Sequence, residues 1–229
     1  MSIATLLKTV LGLYLLSSYK SVPGAYFVRF YYHCSRLLLV PFVTGKNTKN
    51  IKRLQSTENG CFALARVSTY VSPLECDFYF HKNNATYFVE MDVSRAKLMC
   101  SIFQKLFLTS KRFPFVPVAN VFTNFLKELK PFQSYDVVSS ILGWDEKWIY
   151  VISRFTRNND KILCSLSLTK YVLKDGRKTI PPVDALTICG LYNEQVEAIS
   201  KKNMHVLKEQ CGFHETTPLE QMTFDYIEL

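Results

Sequence analysis

One stretch constrains the fold of this chain more than any other: residues 84–107, NATYFVEMDVSRAKLMCSIFQKLF, which have the pattern of a long helix. Apolar residues recur in it at three- and four-residue spacings, and further apolar residues flank this stripe on both sides. A helix that is apolar around most of its circumference is enclosed by the rest of the protein. The spacing also places Asp92 one turn before Arg95, which predicts an ion pair between them.

Five segments around this helix have strand character, because they are rich in β-branched and aromatic residues. One precedes the helix and four follow it, separated by the short turn signals KPFQ, DE and RNND, which predicts an antiparallel meander. A curved antiparallel sheet wrapped around one long helix is an α+β architecture. The predicted strands are CFALARVSTYVS (61–72), VANVFTNFLKEL (118–129), SYDVVSSILGW (134–144), KWIYVISRFTR (147–157) and KILCSLSLTKYVL (161–173).

Composition changes along the chain divide it into four parts. A polar, turn-rich segment, TGKNTKNIKRLQSTENG, separates an apolar N-terminal region from the strands. After the strands, PPVDALTICG and NEQVEAISKKNMHVLKEQCG have helical patterns, and each ends in a glycine that would stop a helix. The predicted organisation is an arm (1–43), a linker (44–60), the sheet-and-helix domain (61–178) and a C-terminal helical extension (179–229).

The net charge of +9 is distributed unevenly. No Asp or Glu precedes Glu58, whereas eight Lys and Arg residues do, so the rest of the chain is nearly neutral. A nucleic-acid-binding surface would be basic within the folded body. We therefore expect no nucleic-acid partner and assign the positive charge to the arm.

The arm combines this charge with apolar runs such as ATLLKTVLGLYLLSSY, which is interrupted only by Lys8. As a helix, this run would reach roughly 24 Å, slightly short of the hydrocarbon core of a bilayer. It would span a thin membrane as a transmembrane helix, lie in the interface, or dock on the protein's own core. Its basic flanks favour anionic lipid, although a mitochondrial presequence has similar composition. We expect membrane association, with the body facing the cytosol or the mitochondrial matrix, at the endoplasmic reticulum or the mitochondrion.

Seven cysteines are dispersed singly along the chain, without a CxxC pair or a Cys/His cluster. This pattern gives no support for a zinc site or a disulfide framework, and it is typical of a reducing compartment. The sequence therefore predicts no metal site and no cofactor.

Two motifs, in the expected order and spacing, identify a resemblance. The first is D-x-x-x-H-x-N-N at the start of the long helix, and the second is GWDEKW in the strand region. Together they resemble the hot-dog-fold acyl thioesterases, especially the membrane-associated thioesterase-like proteins of fungi and their animal relatives, over residues 60–175. The residues that carry the match are Asp77, His81, Asn83, Asn84, Tyr87, Met91, Asp92, Arg95, Lys130, Pro131, Phe132, Gln133, Tyr135, Gly143, Trp144, Asp145, Glu146, Lys147 and Trp148.

The resemblance implies hydrolysis of acyl thioesters of coenzyme A or acyl carrier protein by a homodimer. Such hydrolysis needs a group that activates water or attacks directly, and donors for the developing oxyanion. We expect Asp77 to act as base or nucleophile and His81 to orient it or carry protons, beside the N–H groups of the helix start. The other interpretation is structural: Asn83 or Asn84 caps the helix and His81 bonds the turn.

Glu128 is a second catalytic candidate, because FLKEL resembles by position a strand motif of plant acyl-carrier-protein thioesterases. Strand alternation would turn Glu128 towards the helix start, unless it is a solvated glutamate at a sheet edge. Relatives usually have asparagine at the position of Tyr79. Because of this departure, the alternative function is that of a non-catalytic acyl-binding or scaffold protein with the same fold. The predicted substrate-binding residues are Tyr79, Asn83, Asn84 and Tyr87.

Overall fold

The computed structural model of the protein describes residues 2–45 and 49–210. Five antiparallel strands form one curved sheet in the order β1-β3-β4-β5-β2, and a short sixth strand pairs with the end of β5. The helices are α1 (Ile3–Ser17), α2 (Ala25–Cys34), α3 (Val40–Thr44), α4 (Lys49–Gln55), α5 (Asn84–Ile102), α6 (Gln104–Thr109), α7 (Pro182–Cys189) and α8 (Glu194–Gln210). The strands are β1 (Ala65–Tyr70), β2 (Val118–Phe125), β3 (Ser134–Trp144), β4 (Trp148–Arg157), β5 (Ile162–Asp175) and β6 (Lys178–Ile180).

Helix α5 packs on the sheet as the hot-dog prediction required, so that the α+β fold class is confirmed. At the centre of this contact the facing side chains are small and polar. Ser94 of α5 bonds Ser139 of β3 at 2.9 Å, and Ser139 bonds Ser153 of β4 at 2.8 Å. These three serines are fully buried. Their small size lets the helix lie close to the sheet, while the hydroxyl groups satisfy one another.

The predicted four-strand meander is wrong at its first strand. Of the four strands predicted to form it, only β3, β4 and β5 follow one another as neighbours; β2 pairs with β5 on its far side, whereas β3 pairs with β1. The KPFQ segment is therefore a crossover and no hairpin turn. Its backbone is paired with the residue that follows β1: Phe132 N donates to Val71 O at 2.9 Å, and Val71 N donates to Gln133 O at 3.0 Å.

The helix predicted over 84–107 is divided in two, because α5 ends at Ile102 and α6 begins at Gln104. Within α5, Arg95 Nη2 lies 3.2 Å from Asp92 Oδ1, as the spacing predicted. The first strand is shorter than predicted and begins at Ala65.

The arm folds into α1, followed by α2 and α3, which are joined through a π-helical segment (Ser35–Leu39) into one helical rod. The segment 44–60, expected as a turn-rich linker, contains α4, whose Leu54 is buried. Gly60 lies against this helix so closely that a Cβ atom on it would be 2.1 Å from Leu54 O. Helix α4 and the α2–α3 rod are therefore packed against the body of the protein, whereas α1 buries none of its residues.

As far as residue 210 the C-terminal region contains α7 and α8, the helices predicted there, and Gly190 ends α7 in the left-handed conformation with φ of 70°. The second predicted glycine stop lies outside the described residues. None of the helices over residues 2–45 and 49–210 combines the length and the apolar character needed to cross a membrane.

Candidate functional site

A tight loop brings the predicted catalytic residues to the start of α5. Asp77 N donates to His81 O at 3.0 Å, and Phe80 N donates to Asp77 O at 3.1 Å. Phe80 has φ of 60°, so the chain reverses within five residues. At the tip of this loop Phe78, Tyr79 and Phe80 are 91%, 78% and 79% exposed.

The loop holds Asp77 and His81 together. Asp77 Oδ2 lies 3.4 Å from His81 Nδ1, and both side chains are only partly exposed. The other carboxylate oxygen, Oδ1, accepts a hydrogen bond from Tyr79 N at 3.0 Å. This bond fixes the carboxylate while leaving Oδ2 directed to the imidazole ring, an arrangement that orients a histidine for proton transfer.

Glu128 faces the same cavity as His81. This cavity measures about 210 Å³ and is also lined by Asn84, Tyr87 and Phe125. Glu128 does not reach it by strand alternation, because β2 ends at Phe125. Beyond that end, Leu126 N and Lys127 N both donate to Cys164 O, which breaks the strand period. The structure thus brings His81 and Glu128 to one cavity, which Asp77 approaches through His81.

The predicted substrate-binding residues have different environments. The side-chain oxygen of Asn83 accepts from Ala85 N at 2.9 Å, so Asn83 is the helix cap that the structural interpretation expected. Asn84 and Tyr87 line the cavity, and burial raises the pKa of Tyr87. Tyr79 lies outside the cavity but stacks on His81, with ring centroids 5.9 Å apart.

A buried charge cluster lies next to this site and was not predicted from the sequence. Lys20 of the arm lies 2.9 Å from Glu75 and 3.1 Å from Glu90. Arg29 donates two hydrogen bonds to Glu90, at 2.7 and 2.6 Å. Lys82, directly after His81, lies 3.2 Å from Glu75. A signal was present in the sequence, since Glu90 lies on an enclosed helix and a buried carboxylate needs a partner.

Burial and charge compete in this cluster. Burial alone would raise the pKa of Glu90, but hydrogen bonds from Arg29 and the charges of Lys20, Arg29 and Lys82 outweigh it and lower the pKa to about 2. Burial lowers the pKa of Lys82 to about 8, because its effect is larger than that of the Glu75 charge, which raises this pKa. Glu90 is therefore fully ionised at neutral pH.

An apolar groove runs between the arm and the body. Two adjoining cavities of about 370 and 480 Å³ share the side chains of Tyr31, Cys34, Leu38, Phe107 and Phe113. Charged groups also line the groove: Asp92 and Arg95 line the first cavity, and Lys111 lines the second.

Cys34 connects this groove to α5. Its sulfur lies 3.7 Å from that of Cys100, a bond in which the Cys100 thiol is the donor. That hydrogen bond lowers the pKa of Cys34. Over the described part of the chain, no three His, Cys, Asp or Glu side chains are grouped as a metal site.

Solved structures with a similar architecture include a hypothetical protein of Staphylococcus aureus in complex with CoA. Its TM-score is 0.48 at 14% identity, with 71% of this chain and 96% of that chain covered. A probable thioesterase of Escherichia coli has a TM-score of 0.46 at 15% identity, with 60% of this chain and 98% of that chain covered.

Other proteins are much more similar to this chain in sequence than these solved structures are. A probable thioesterase of Saccharomyces cerevisiae is 62% identical over 226 residues, which are 99% of this chain and 98% of the relative. A thioesterase of Purpureocillium lilacinum is 30% identical over 207 residues, with 75% of this chain and 67% of the relative covered. The family model of the thioesterase-like superfamily matches residues 71–198, which include the D-x-x-x-H loop, α5 and the whole sheet except β1. The chain therefore belongs to the thioesterase-like superfamily.

Proposed function

We propose that this protein hydrolyses fatty-acyl thioesters of coenzyme A or acyl carrier protein. The observation that carries the proposal is the Asp77–His81 pair beside a cavity that Glu128 also lines. One carboxylate, Glu128 or Asp77, removes a proton from water as the oxygen attacks the thioester carbonyl carbon. The intermediate then collapses, the carbon–sulfur bond breaks, and His81 supplies a proton to the departing thiolate. The products are a free acid and a thiol.

The groove between the arm and the body supports a long acyl chain as the substrate. Its shared walls are aromatic and aliphatic apart from the Cys34 thiol, and a hydrocarbon chain gains free energy by leaving water for such a surface. Asp92, which lines the groove, lies eight residues along α5 from Asn84, which corresponds to about 12 Å of helix. Part of the groove is thus about 12 Å along α5 from the site at the helix start.

Membrane association is proposed on the exposed surface of α1. None of its residues is buried, and Leu7, Leu11 and Leu16 are each more than half exposed. An apolar helix of this kind favours the bilayer interface over water. The free thiols of the described cysteines support a body that faces a reducing compartment, the cytosol or the mitochondrial matrix. We propose the endoplasmic reticulum or the mitochondrion as the location.

A homodimer is proposed because β2 is the last strand of the sheet and is largely exposed. Pairing with a second copy would cover this edge and the exposed Leu126 beside it. Light scattering of the full chain in detergent is expected to give the mass of a dimer, and Leu126→Arg is expected to give a monomer. A wild-type monomer at micromolar concentration would overturn the proposal.

A second candidate function is acyl binding without catalysis, and the position of Tyr79 favours it. The Tyr79 ring stacks on His81 at an interplanar angle of 17° and covers one face of the imidazole. A covered histidine has less room to meet a thioester. The fold and the groove would then serve to bind an acyl chain.

One experiment separates the two functions. The full-length protein in detergent is incubated with acyl-CoA of increasing chain length, and released thiol is measured alongside equilibrium binding. Release that increases with chain length supports the hydrolase. Saturable binding of long-chain acyl-CoA without release supports the acyl-binding protein. The absence of both binding and release overturns both candidates.

A further inference from the structure

A further cavity, of about 440 Å³, is lined by positively charged side chains. We call it the basic pocket, and it lies where the arm, α4 and α5 meet. Asn50 and Ser101 add polar groups, and no carboxylate is among the described residues that line it. The charged and titratable side chains that line it are His33, Arg36, Lys49, Arg53 and Lys97.

The cations of the basic pocket differ from Lys20 and Arg29, which are matched to carboxylates. Lys97 donates to a backbone carbonyl, Arg66 O, at 2.7 Å. Arg53 bonds the amide oxygen of Asn50 at 3.2 Å, and Arg36 bonds the hydroxyl of Tyr32 at 3.4 Å. Within the described part of the chain, none of these three forms an ion pair with Asp or Glu.

The clustering of positive charge affects the pKa values of Lys97 and His33, the two least exposed of these side chains. Burial lowers the pKa of Lys97, and the charges of Arg36 and Arg53 lower it further. Burial also lowers the pKa of His33, together with Lys97, Arg36 and Arg29. Every charged neighbour named here acts in the same direction, so the pocket has an excess of positive charge that an anion would relieve.

The basic pocket and the apolar groove lie on different faces of one helical rod. Tyr31, Cys34 and Leu38 line the groove, whereas His33 and Arg36 line the pocket. One turn beyond Arg36 the rod exposes Val40, and then Val43, which is about three-quarters exposed. The pocket therefore opens beside an apolar surface of the arm.

From these observations we infer that the basic pocket is a binding site for a phosphate group with two negative charges. Two guanidinium forks and two ammonium groups provide the multiple charge-assisted donors that phosphate oxygens accept. This chemistry occurs in the phosphomonoester headgroup of an anionic lipid and in the phosphates of a free nucleotide such as the coenzyme A moiety. The inference does not depend on the proposed hydrolysis.

The test compares two double variants with the same loss of charge. Arg36→Gln/Arg53→Gln alters the pocket, whereas Arg154→Gln/Arg177→Gln removes two exposed arginines elsewhere. Full-length proteins are mixed with adenosine 3′,5′-bisphosphate, with neutral phosphatidylcholine vesicles, or with such vesicles containing phosphatidic acid. The pocket variant is expected to lose at least about tenfold in affinity for a phosphate ligand, and the control less than about twofold.

Comparing the two ligands, phosphatidic acid vesicles and the bisphosphate, distinguishes the source of the phosphate. Loss confined to phosphatidic acid vesicles identifies a lipid headgroup, and loss confined to the bisphosphate identifies a nucleotide. Equal losses in both double variants, or wild-type protein that binds neither ligand, would overturn the inference. An independent measurement needs no variant: NMR titration of wild-type protein should show the pKa of His33 rising when the ligand binds. An unchanged His33 titration with bound ligand would also refute the site.

Discussion

Arg29 of helix α2 donates two hydrogen bonds to Glu90 of the central helix, at 2.7 and 2.6 Å, and the Glu90 side chain is completely buried. The arm therefore contributes a partner to a charge inside the body. Removing the arm would leave Glu90 without Arg29 and Lys20, its two nearest cations. Experiments on the arm are better done with point substitutions than with truncation, because an uncompensated buried charge is costly.

The first prediction concerns stability. Glu90→Gln is expected to lower the free energy of unfolding by about 3–5 kcal/mol, because Arg29 loses its partner in a buried setting. Urea unfolding at neutral pH measures this. The control is Lys201→Met, which breaks the exposed pair with Glu197 and is expected to cost less than about 1 kcal/mol. Equal effects of the two substitutions would contradict the role given to the buried pair.

The second prediction concerns acid pH. The pKa of Glu90 is about 2 in the folded protein and 4.5 as its ordinary value. A lowered pKa stabilises the folded state above the unfolded value, and this stabilisation disappears as the pH falls towards the folded value. The stability difference between wild type and Glu90→Gln is therefore expected to shrink from pH 4.5 to pH 2. Urea midpoints along this range measure it, and a constant difference would be inconsistent with the ion pair.

The third prediction concerns hydrolysis. Asp77→Asn and Glu128→Gln keep the shape of each side chain but remove its charge, and each is expected to slow acyl-CoA hydrolysis by about 100-fold or more. Melting temperatures should change little, since neither carboxylate is buried. Glu146→Gln, at the exposed β3–β4 turn, is the matched control. If wild type is active and neither site substitution slows it, the site is misplaced.

Tyr79→Asn complements this set, because it uncovers the face of His81 on which the phenol ring stacks. A rise in hydrolysis would show that Tyr79 dampens the site. Such a result would strengthen the acyl-binding alternative for the natural protein.

The fourth prediction concerns the groove. Cys34 lines it and is only partly buried, so in a Cys76→Ser/Cys211→Ser background we expect it to react with maleimide before the buried cysteines. Palmitate is expected to slow this reaction at least about tenfold by filling the groove, whereas acetate should not. Mass spectrometry of time points identifies the labelled site. Unchanged labelling of Cys34 at saturating palmitate would place the acyl chain elsewhere.

The fifth prediction concerns membranes. Leu7→Lys/Leu11→Lys adds two charges to α1, and vesicle binding is expected to fall by more than about tenfold because two exposed leucines no longer insert. The melting temperature should not change, as α1 buries none of its residues. Ile188→Lys/Val206→Lys makes the same kind of change outside the arm and should bind as wild type does. Sedimentation with liposomes measures both; similar binding by all three proteins would show that α1 is not the contact.

The parts of this molecule that the sequence predicted well depend on short-range patterns. The period of residues 84–107 predicted the central helix, which ends at Ile102, and the spacing of Asp92 and Arg95 predicted their pair. The approach of Asp77 to His81 also lies within one turn-sized loop. Local spacing determines such contacts, because few conformations of a short segment satisfy it.

The parts that were missed depend on residues far apart in the chain. KPFQ has the composition of a hairpin turn, and nothing local shows that β2 crosses to β5 instead. Likewise, Lys20 and Arg29 have no acidic neighbour in sequence, and their partners Glu75 and Glu90 come much later. Because opposite charges pair across any sequence separation, composition alone assigned these two cations to lipid rather than to the core.

The order of synthesis gives the Arg29–Glu90 contact a further consequence. Glu90 is added to the nascent chain roughly 60 residues after Arg29, which takes about 3–12 s at ordinary rates of translation. During that interval the arm has its hydrophobic residues and its cations, but neither carboxylate that later neutralises Lys20 and Arg29. The arm of the nascent chain therefore has a higher net positive charge, and is more accessible, than the arm of the folded protein. Any factor or membrane that binds this segment through its positive charge therefore binds it most strongly before the central helix has been synthesised.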